Sequence, residues 1–198
     1  MNDFFYETPT LERKQDVLDY IDEVYRCNSN LDGTGSLSYI QVYEEWLLDL
    51  EKRRKTTNNT LCPPEETYLF IRKRDNKIIG ITNIRFFSNC DTAFKGHIGY
   101  NIRPTEQRKG YNKINLYKAL EVCEEKGIET ICLVCMKDNI ASSKSMISLG
   151  AELDDECGFE DNPLHIYKIN VSKSIKTFKE LNYNTETKGI QYDKRRND

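Results

Sequence analysis

Apolar positions recur at helical spacing through the first quarter of the chain. Thr10 is placed to cap a helix with Leu11, Leu18, Ile21 and Tyr25 on one face, and Ser38 to cap a second with Ile40, Tyr43, Leu47 and Leu50. The second ends in Lys52-Arg-Arg-Lys55, which suits the negative end of a helix dipole. Asn28 to Gly35, rich in Asn, Ser, Asp and Gly, reads as a loop, and Thr56 to Pro64 breaks the pattern. The period then shortens. Thr67–Arg72 and Lys77–Phe87 read as a hairpin turning at Asp75-Asn76, and Gly96–Ile102 as a third strand. A helix follows from near Gly110 to Lys126, with Leu116, Ala119, Leu120 and Cys123 on one face and Gly127 as its stop. Ile128–Cys135 is a strand. Asp138 or Asn139 caps a short helix to Ser148, closed by Gly150, and Ala151–Asp155 and Leu164–Val171 are the last strands.

Helices, an antiparallel meander and then alternating elements predict an α+β fold with a mixed, mostly antiparallel sheet covered on both faces. Residues 1–170 make one domain. Val171 to Asp198 carries a net charge of +3 against −6 for the rest, with sparse apolar residues. It reads as a polar, weakly ordered extension with room for a short helix around Ser174 to Leu181.

Composition narrows the function classes. A mean hydropathy of −0.70 and the absence of any apolar run near ~18 residues exclude a transmembrane helix. The first residues lack a basic segment followed by an apolar one, so no secretory signal is expected. A net charge of −3 argues against a nucleic-acid footprint, which needs a clustered basic surface. The cysteines are odd in number, and without a secretory context they read as reduced thiols in a cytoplasmic protein. Cys132-Leu-Val-Cys135 has metal-site spacing but lies in an apolar strand, where residues three apart face opposite ways. No metal site is expected there.

The segment that carries chemistry is Gly96-His-Ile-Gly-Tyr-Asn-Ile-Arg-Pro-Thr-Glu-Gln-Arg-Lys-Gly-Tyr-Asn112. A strand ends at Ile102, and a helix begins near Gly110. The first N–H groups of that helix have no intrahelical partner and sit at the positive end of its dipole. A glycine-containing turn lets them converge on a diphosphate, with Arg108 and Lys109 as charged donors.

Gln107-Arg-Lys-Gly110-Tyr-Asn112 after Ile102-Arg-Pro104 resembles the Gln/Arg-x-x-Gly-x-Gly/Ala motif of the GNAT superfamily of acyltransferases. Asn139, a short helix and Gly150 eleven positions on resemble its second motif. Gly96-His-Ile-Gly-Tyr-x-Ile-Arg-Pro is most similar to a branch of bacterial predicted acetyltransferases with unassigned substrates. The resemblance runs from about Tyr43 to Lys168. It implies the GNAT fold, with a splayed strand pair, and acetyl-CoA as co-substrate. It also implies pyrophosphate binding by Gln107, Arg108, Lys109, Gly110, Tyr111 and Asn112, and contacts from Asn139 and Ser142 to the pantetheine or reacting region. A main-chain N–H of Ile102, or of a residue near Tyr100, would hold the thioester oxygen.

Two departures bear on catalysis. Asn112 replaces the motif's small residue, and Met146 stands where many relatives keep a tyrosine as acid for the leaving thiolate. Tyr167, Ser142 or Ser145 are substitutes. Relatives often place a base at a position matching Gly96 or His97, and an imidazole titrates in the right range, so His97 is the expected base. His165 and Tyr167 alternate on a late strand near the cleft. Glu44, Glu45, Trp46 and Tyr39, with the loop Ser88 to Lys95, lie where acceptors bind. The expected activity is N-acetyl transfer to a primary amine of a small molecule or peptide. Alternatives are a non-catalytic acyl-CoA-binding module and an aminoglycoside-like antibiotic acetyltransferase. Acetyl-CoA and an amine are the expected partners, without nucleic acid or membrane, and a homodimer is compatible with the sequence.

Overall fold

The computed structural model describes residues 3–56, 63–87, 96–159 and 162–180. The strands are β1 (Phe4–Glu7), β2 (Glu65–Arg72), β3 (Lys77–Arg85), β4 (Ile98–Ile102), β5 (Thr130–Met136), β6 (Glu152–Phe159) and β7 (Asn162–Asn170). The helices are α1 (Lys14–Arg26), α2 (Tyr43–Arg54), α3 (Tyr111–Glu125) and α4 (Ile140–Ile147), and residues 171–180 form α5.

The strands make two antiparallel sheets, ordered β1-β2-β3-β4 and β5-β7-β6. The first is the expected meander with one strand added. Phe4–Glu7, too short to show a period, pairs with Leu69–Arg72. A helix pair covers each sheet face. Val17, Tyr20, Val24, Tyr43 and Trp46 pack on Leu69, Ile71 and Ile81. On the other face Leu116, Leu120, Met146 and Leu149 pack with Ile84, Leu133, Tyr167 and Ile169. The hydroxyls of Tyr6 and Thr82 both reach Asn115 of α3, at 2.7 and 2.9 Å, which fixes that helix against the first sheet.

Several expectations are corrected. α1 buries Val17, Tyr20 and Val24, whereas Leu11 and Tyr25 are exposed. Both stripes have helical period, and the one with the fully buried tyrosine wins. The second helix starts at Tyr43, after a 3₁₀ turn at Gly35–Ser38, and Ser38 bonds back to Gly35 O instead of capping it. Packed chain does not end at residue 170, because Val171, Ile175 and Phe178 of α5 are buried and Phe178 stacks on Tyr117 at 4.3 Å. Cys27, Cys123, Cys135 and Cys157 are free, but Cys132 is disulfide-bonded, so the all-reduced reading fails there. The loop Ser88 to Lys95, Cys62, Cys90 and residues 181–198 lie outside the described residues. No described helix is long and apolar enough to cross a membrane.

Candidate active site

The site lies where the two sheets part. β4 and β5 share no ladder. Among the described residues, one main-chain bond joins the sheets, from His97 N–H to Cys132 O at 2.7 Å. Gly96 makes this approach feasible. Its φ is +65°, and a Cβ there would lie 3.1 Å from Val134 N and 3.2 Å from Cys132 O. A glutamate at this position has no room.

Beyond that junction β4 has a free edge. Arg85 N–H donates to His97 O and Arg103 N–H to Ile79 O, each at 2.8 Å. With Gly80 opposite Ile102 and Ile84 opposite Ile98, these bonds assign the odd-numbered residues of β4 to the ladder with β3. The main-chain groups of Ile98, Tyr100 and Ile102 therefore face the gap. Gln107 Nε2 donates to Ile102 O at 3.1 Å, which ties the following loop to the strand end and leaves the Ile102 N–H directed into the gap.

That loop is rigidly anchored. Arg103 is buried, donates to Ile78 O at 2.8 Å and Glu23 at 2.7 Å, and lies 5.0 Å over the Tyr20 ring. Glu106 is buried with Arg72 at 2.9 Å, Lys109 at 2.9 Å and Lys77 at 3.3 Å. Burial opposes its ionisation, but Arg72 and the two lysines outweigh this and hold its pKa near about 2. Arg103 and Glu106 were not singled out from the sequence, because their role depends on long-range partners 25–80 positions away.

The turn then presents donors. Arg108 (φ 61°) and Gly110 (φ 77°) are both left-handed, and nothing lies within 4 Å of a Cβ built on Gly110. No side chain caps α3. The main-chain N–H groups of the turn and first helical turn thus converge on open space, the geometry of an anion cradle. Arg108 is exposed and outside the ion-pair network, whereas Lys109 is folded back on Glu106. The Tyr111 ring packs on Phe4 at 5.0 Å, so its side chain serves the core and only its N–H is available.

Across the gap, Asn139 caps α4 by accepting from Ser142 N–H at 3.1 Å. The Tyr100 hydroxyl, sealed from solvent without a well-formed hydrogen bond, lies beside Ser142 and Asn112. Burial raises the Tyr100 phenol, and Asn112 Oδ1 is likewise unpartnered. Tyr167 is buried, its hydroxyl 3.3 Å from His165 Nδ1, and His165 Nε2 lies 3.2 Å from Glu156. Met146 is buried in the core.

His97, the expected base, is corrected by its surroundings. It has no exposed surface, and its Nδ1 accepts from Cys132 N–H at 3.1 Å. Burial, joined by the charge of Arg85, pushes its pKa down to about 4. A neutral, fully buried ring with its Nδ1 lone pair already engaged ties the two sheets together at this point. Trp46 is also core, at 0% exposure.

A splayed strand pair with an anion cradle at its open end is an arrangement that fits a nucleotide-linked acyl thioester. Residues 36–149 match the model of the Acetyltransferase (GNAT) family, so the chain belongs to that family and is an acetyl-CoA-dependent N-acetyltransferase by class. No protein of curated function matches it by sequence. The fold is similar to the ribosomal-protein-S5-alanine acetyltransferase of Vibrio fischeri, with 14% identity and TM-score 0.62 over 86% of this chain and 94% of that one. It is also similar to the spermidine/spermine N-acetyltransferase of Vibrio cholerae, with 11% identity and TM-score 0.62 over 89% and 99%. A putative acetyltransferase from Salmonella typhimurium, solved with acetyl-CoA, gives 12%, 0.57, 86% and 95%.

Proposed function

We propose that this protein transfers the acetyl group of acetyl-CoA directly to a primary amine of a small molecule or peptide. The observation that carries the reading is the uncapped start of α3, with left-handed Arg108 and Gly110, at the open end of the free β4 edge.

In this reading the N–H groups of residues 108–112 and the Arg108 guanidinium hold the pyrophosphate, with Gln107 keeping the turn in place. The β4 edge pairs with the pantetheine arm, and Asn112, Asn139, Ser142 and the Tyr100 hydroxyl give it polar contacts. Bound acetyl-CoA supplies the activated thioester. A gap-facing N–H farther along β4 from the cradle, that of Tyr100, is aimed at the carbonyl oxygen as negative charge develops there. The amine nitrogen bonds to the acetyl carbon, the carbon–sulfur bond breaks, and the amine gives up a proton. Tyr167, its hydroxyl 3.3 Å from His165 Nδ1, is the group placed to exchange a proton in the cleft. A thiol with pKa about 8.5 leaves readily as thiolate, so the buried Met146 is no obstacle. A cytoplasmic setting fits the co-substrate, and the disulfide at Cys132 is the observation that pulls against it.

A non-catalytic acyl-CoA-binding module is the second reading. It is favoured by the burial of His97 and Met146, which leaves two usual proton-transfer positions without a titrating group. Calorimetric titration with acetyl-CoA and CoA, followed by thiol release over a panel of amines that includes aminoglycosides, separates them. Micromolar binding with turnover supports transfer, binding without turnover of any amine supports the module, and no binding up to millimolar overturns both.

A further inference from the structure

Buried polar atoms without partners are rare in native proteins, so several on one patch point to a group that binds there. Three such atoms fall together at the closed end of the splay. They are Ser36 Oγ, Asn83 Oδ1 and Arg85 Nε. Asn83 and Arg85 are two apart on β3 and share the face covered by α1 and α2. The turn carrying Ser36 lies against them, since a Cβ on Gly35 would meet Asn83 Nδ2 at 2.9 Å. Ser36 and Asn83 are each 1% exposed.

Arg85 is the unusual member. Among the described residues it has no ion pair, although it is a partly buried cation. Its cross-strand neighbour Glu65 is engaged by Arg53 at 2.7 Å, and Arg53 is also held by Asp49. The Asn83 amide spends its N–H on Thr67 Oγ1 at 3.1 Å, which leaves the carbonyl oxygen free. The patch therefore offers a guanidinium, a hydroxyl and one acceptor.

Its position relative to the cradle decides what it faces. The cradle lies just beyond Ile102, while Arg85 pairs with His97 at the other end of β4, about 16 Å away at the rise of a strand. A cofactor entering at the cradle end leaves the His97 end for the acceptor. This step rests on the acetyltransferase reading above.

We propose that Ser36, Asn83 and Arg85 form the acceptor subsite, and that the acceptor is an amine carrying an anionic oxyacid group, carboxylate or phosphate, which pairs with Arg85. The α-amine end reaches toward the thioester while the anion is held on the patch. A polyamine, cationic throughout, is disfavoured by the same charge.

The test is thiol release from acetyl-CoA by the full chain with matched acceptors. The pairs are amino acids against their amides, phosphoethanolamine against ethanolamine, and spermidine as the cationic control. The anionic member of at least one pair is expected to have kcat/KM at least about 10-fold higher, the scale of one charge-assisted bond. The amino-acid and phosphoethanolamine arms tell carboxylate from phosphate. Arg85→Gln should bring that ratio to within about twofold of one, chiefly through KM, while Arg85→Lys keeps part of it. Calorimetry on the same preparations reads the acetyl-CoA Kd. Loss of acetyl-CoA binding by the native chain overturns the acetyltransferase reading itself. With acetyl-CoA binding intact, three results overturn the anionic acceptor: no turnover of any anionic amine, faster turnover of neutral or cationic ones, or an undiminished ratio in folded Arg85→Gln.

Discussion

His97 grips Cys132 twice: its main-chain N–H donates to the Cys132 carbonyl at 2.7 Å, and its ring Nδ1 accepts from the Cys132 N–H at 3.1 Å. One residue thus completes both main-chain bonds of its neighbour at the point where the sheets begin to part. The ring must be neutral to accept, and the folded pKa of about 4 lies below the ordinary imidazole value of 6.5. Below pH 6.5 the unfolded chain binds a proton that the folded chain refuses. The stabilisation is complete above 6.5 and is lost as pH falls toward 4, by about 3 kcal/mol at most. Urea midpoints at pH 7, 5.5 and 4.5 should drop steadily for the native chain and much less for His97→Gln. Parallel slopes in the two proteins would remove His97 as the source.

Gly96 makes the same junction sterically feasible. Gly96→Ala puts a methyl 3.1 Å from Val134 N and forces an L-residue into the left-handed region. A loss of about 1–3 kcal/mol in unfolding free energy is expected, measured by chemical denaturation. If instead the variant is as stable as the native chain, the close approach of β4 to β5 is wrong.

Arg108 and Lys109 are adjacent in sequence and unequal in role. Lys109 is held on Glu106, whereas Arg108 is exposed and has no ion pair among the described residues. Arg108→Glu should weaken acetyl-CoA binding by roughly 10-fold or more, with a flatter salt dependence, as expected for loss of a charged donor to phosphate. Lys109→Ala should change the affinity by less than about threefold and instead lower stability above pH 4.5, by an amount that fades as pH falls toward 2. The depressed pKa of Glu106, near about 2 against an ordinary 4.5, stabilises the fold above pH 4.5 and is lost as pH falls toward 2. Equal affinity losses in both variants would refute the division.

The sequence made the cradle legible because the cradle is local: Gln107 through Asn112 are contiguous, and the strand–turn–helix context is set by period and by Gly110. The α+β order was legible for the same reason. What escaped it is non-local. β1 pairs with a strand some 65 positions away, and which stripe of α1 is buried depends on the sheet it meets. His97 has the composition of a base and the environment of a structural pin, a difference set by Cys132 and Arg85. The motif window also concealed Tyr100. It lies inside the segment, but only the packing of α3 against α4 encloses its hydroxyl beside Ser142 and Asn112 without a well-formed bond to either.

That hydroxyl supplies a prediction with opposite signs in two measurements. An enclosed O–H with no well-formed bond contributes little to the free protein, so Tyr100→Phe should leave the unfolding midpoint unchanged or raise it. If Asn112, Ser142 and Tyr100 together line the pantetheine slot, the same change removes a donor to the bound arm. The acetyl-CoA Kd should then rise by about 2- to 10-fold, the worth of one neutral hydrogen bond. A purely structural hydroxyl would move stability and leave affinity alone. A catalytic one would lower kcat with little change in Kd. Calorimetry with acetyl-CoA, thermal unfolding and kcat from thiol release together distinguish all three, and unchanged Kd with unchanged stability would show that the hydroxyl plays no part in holding the arm.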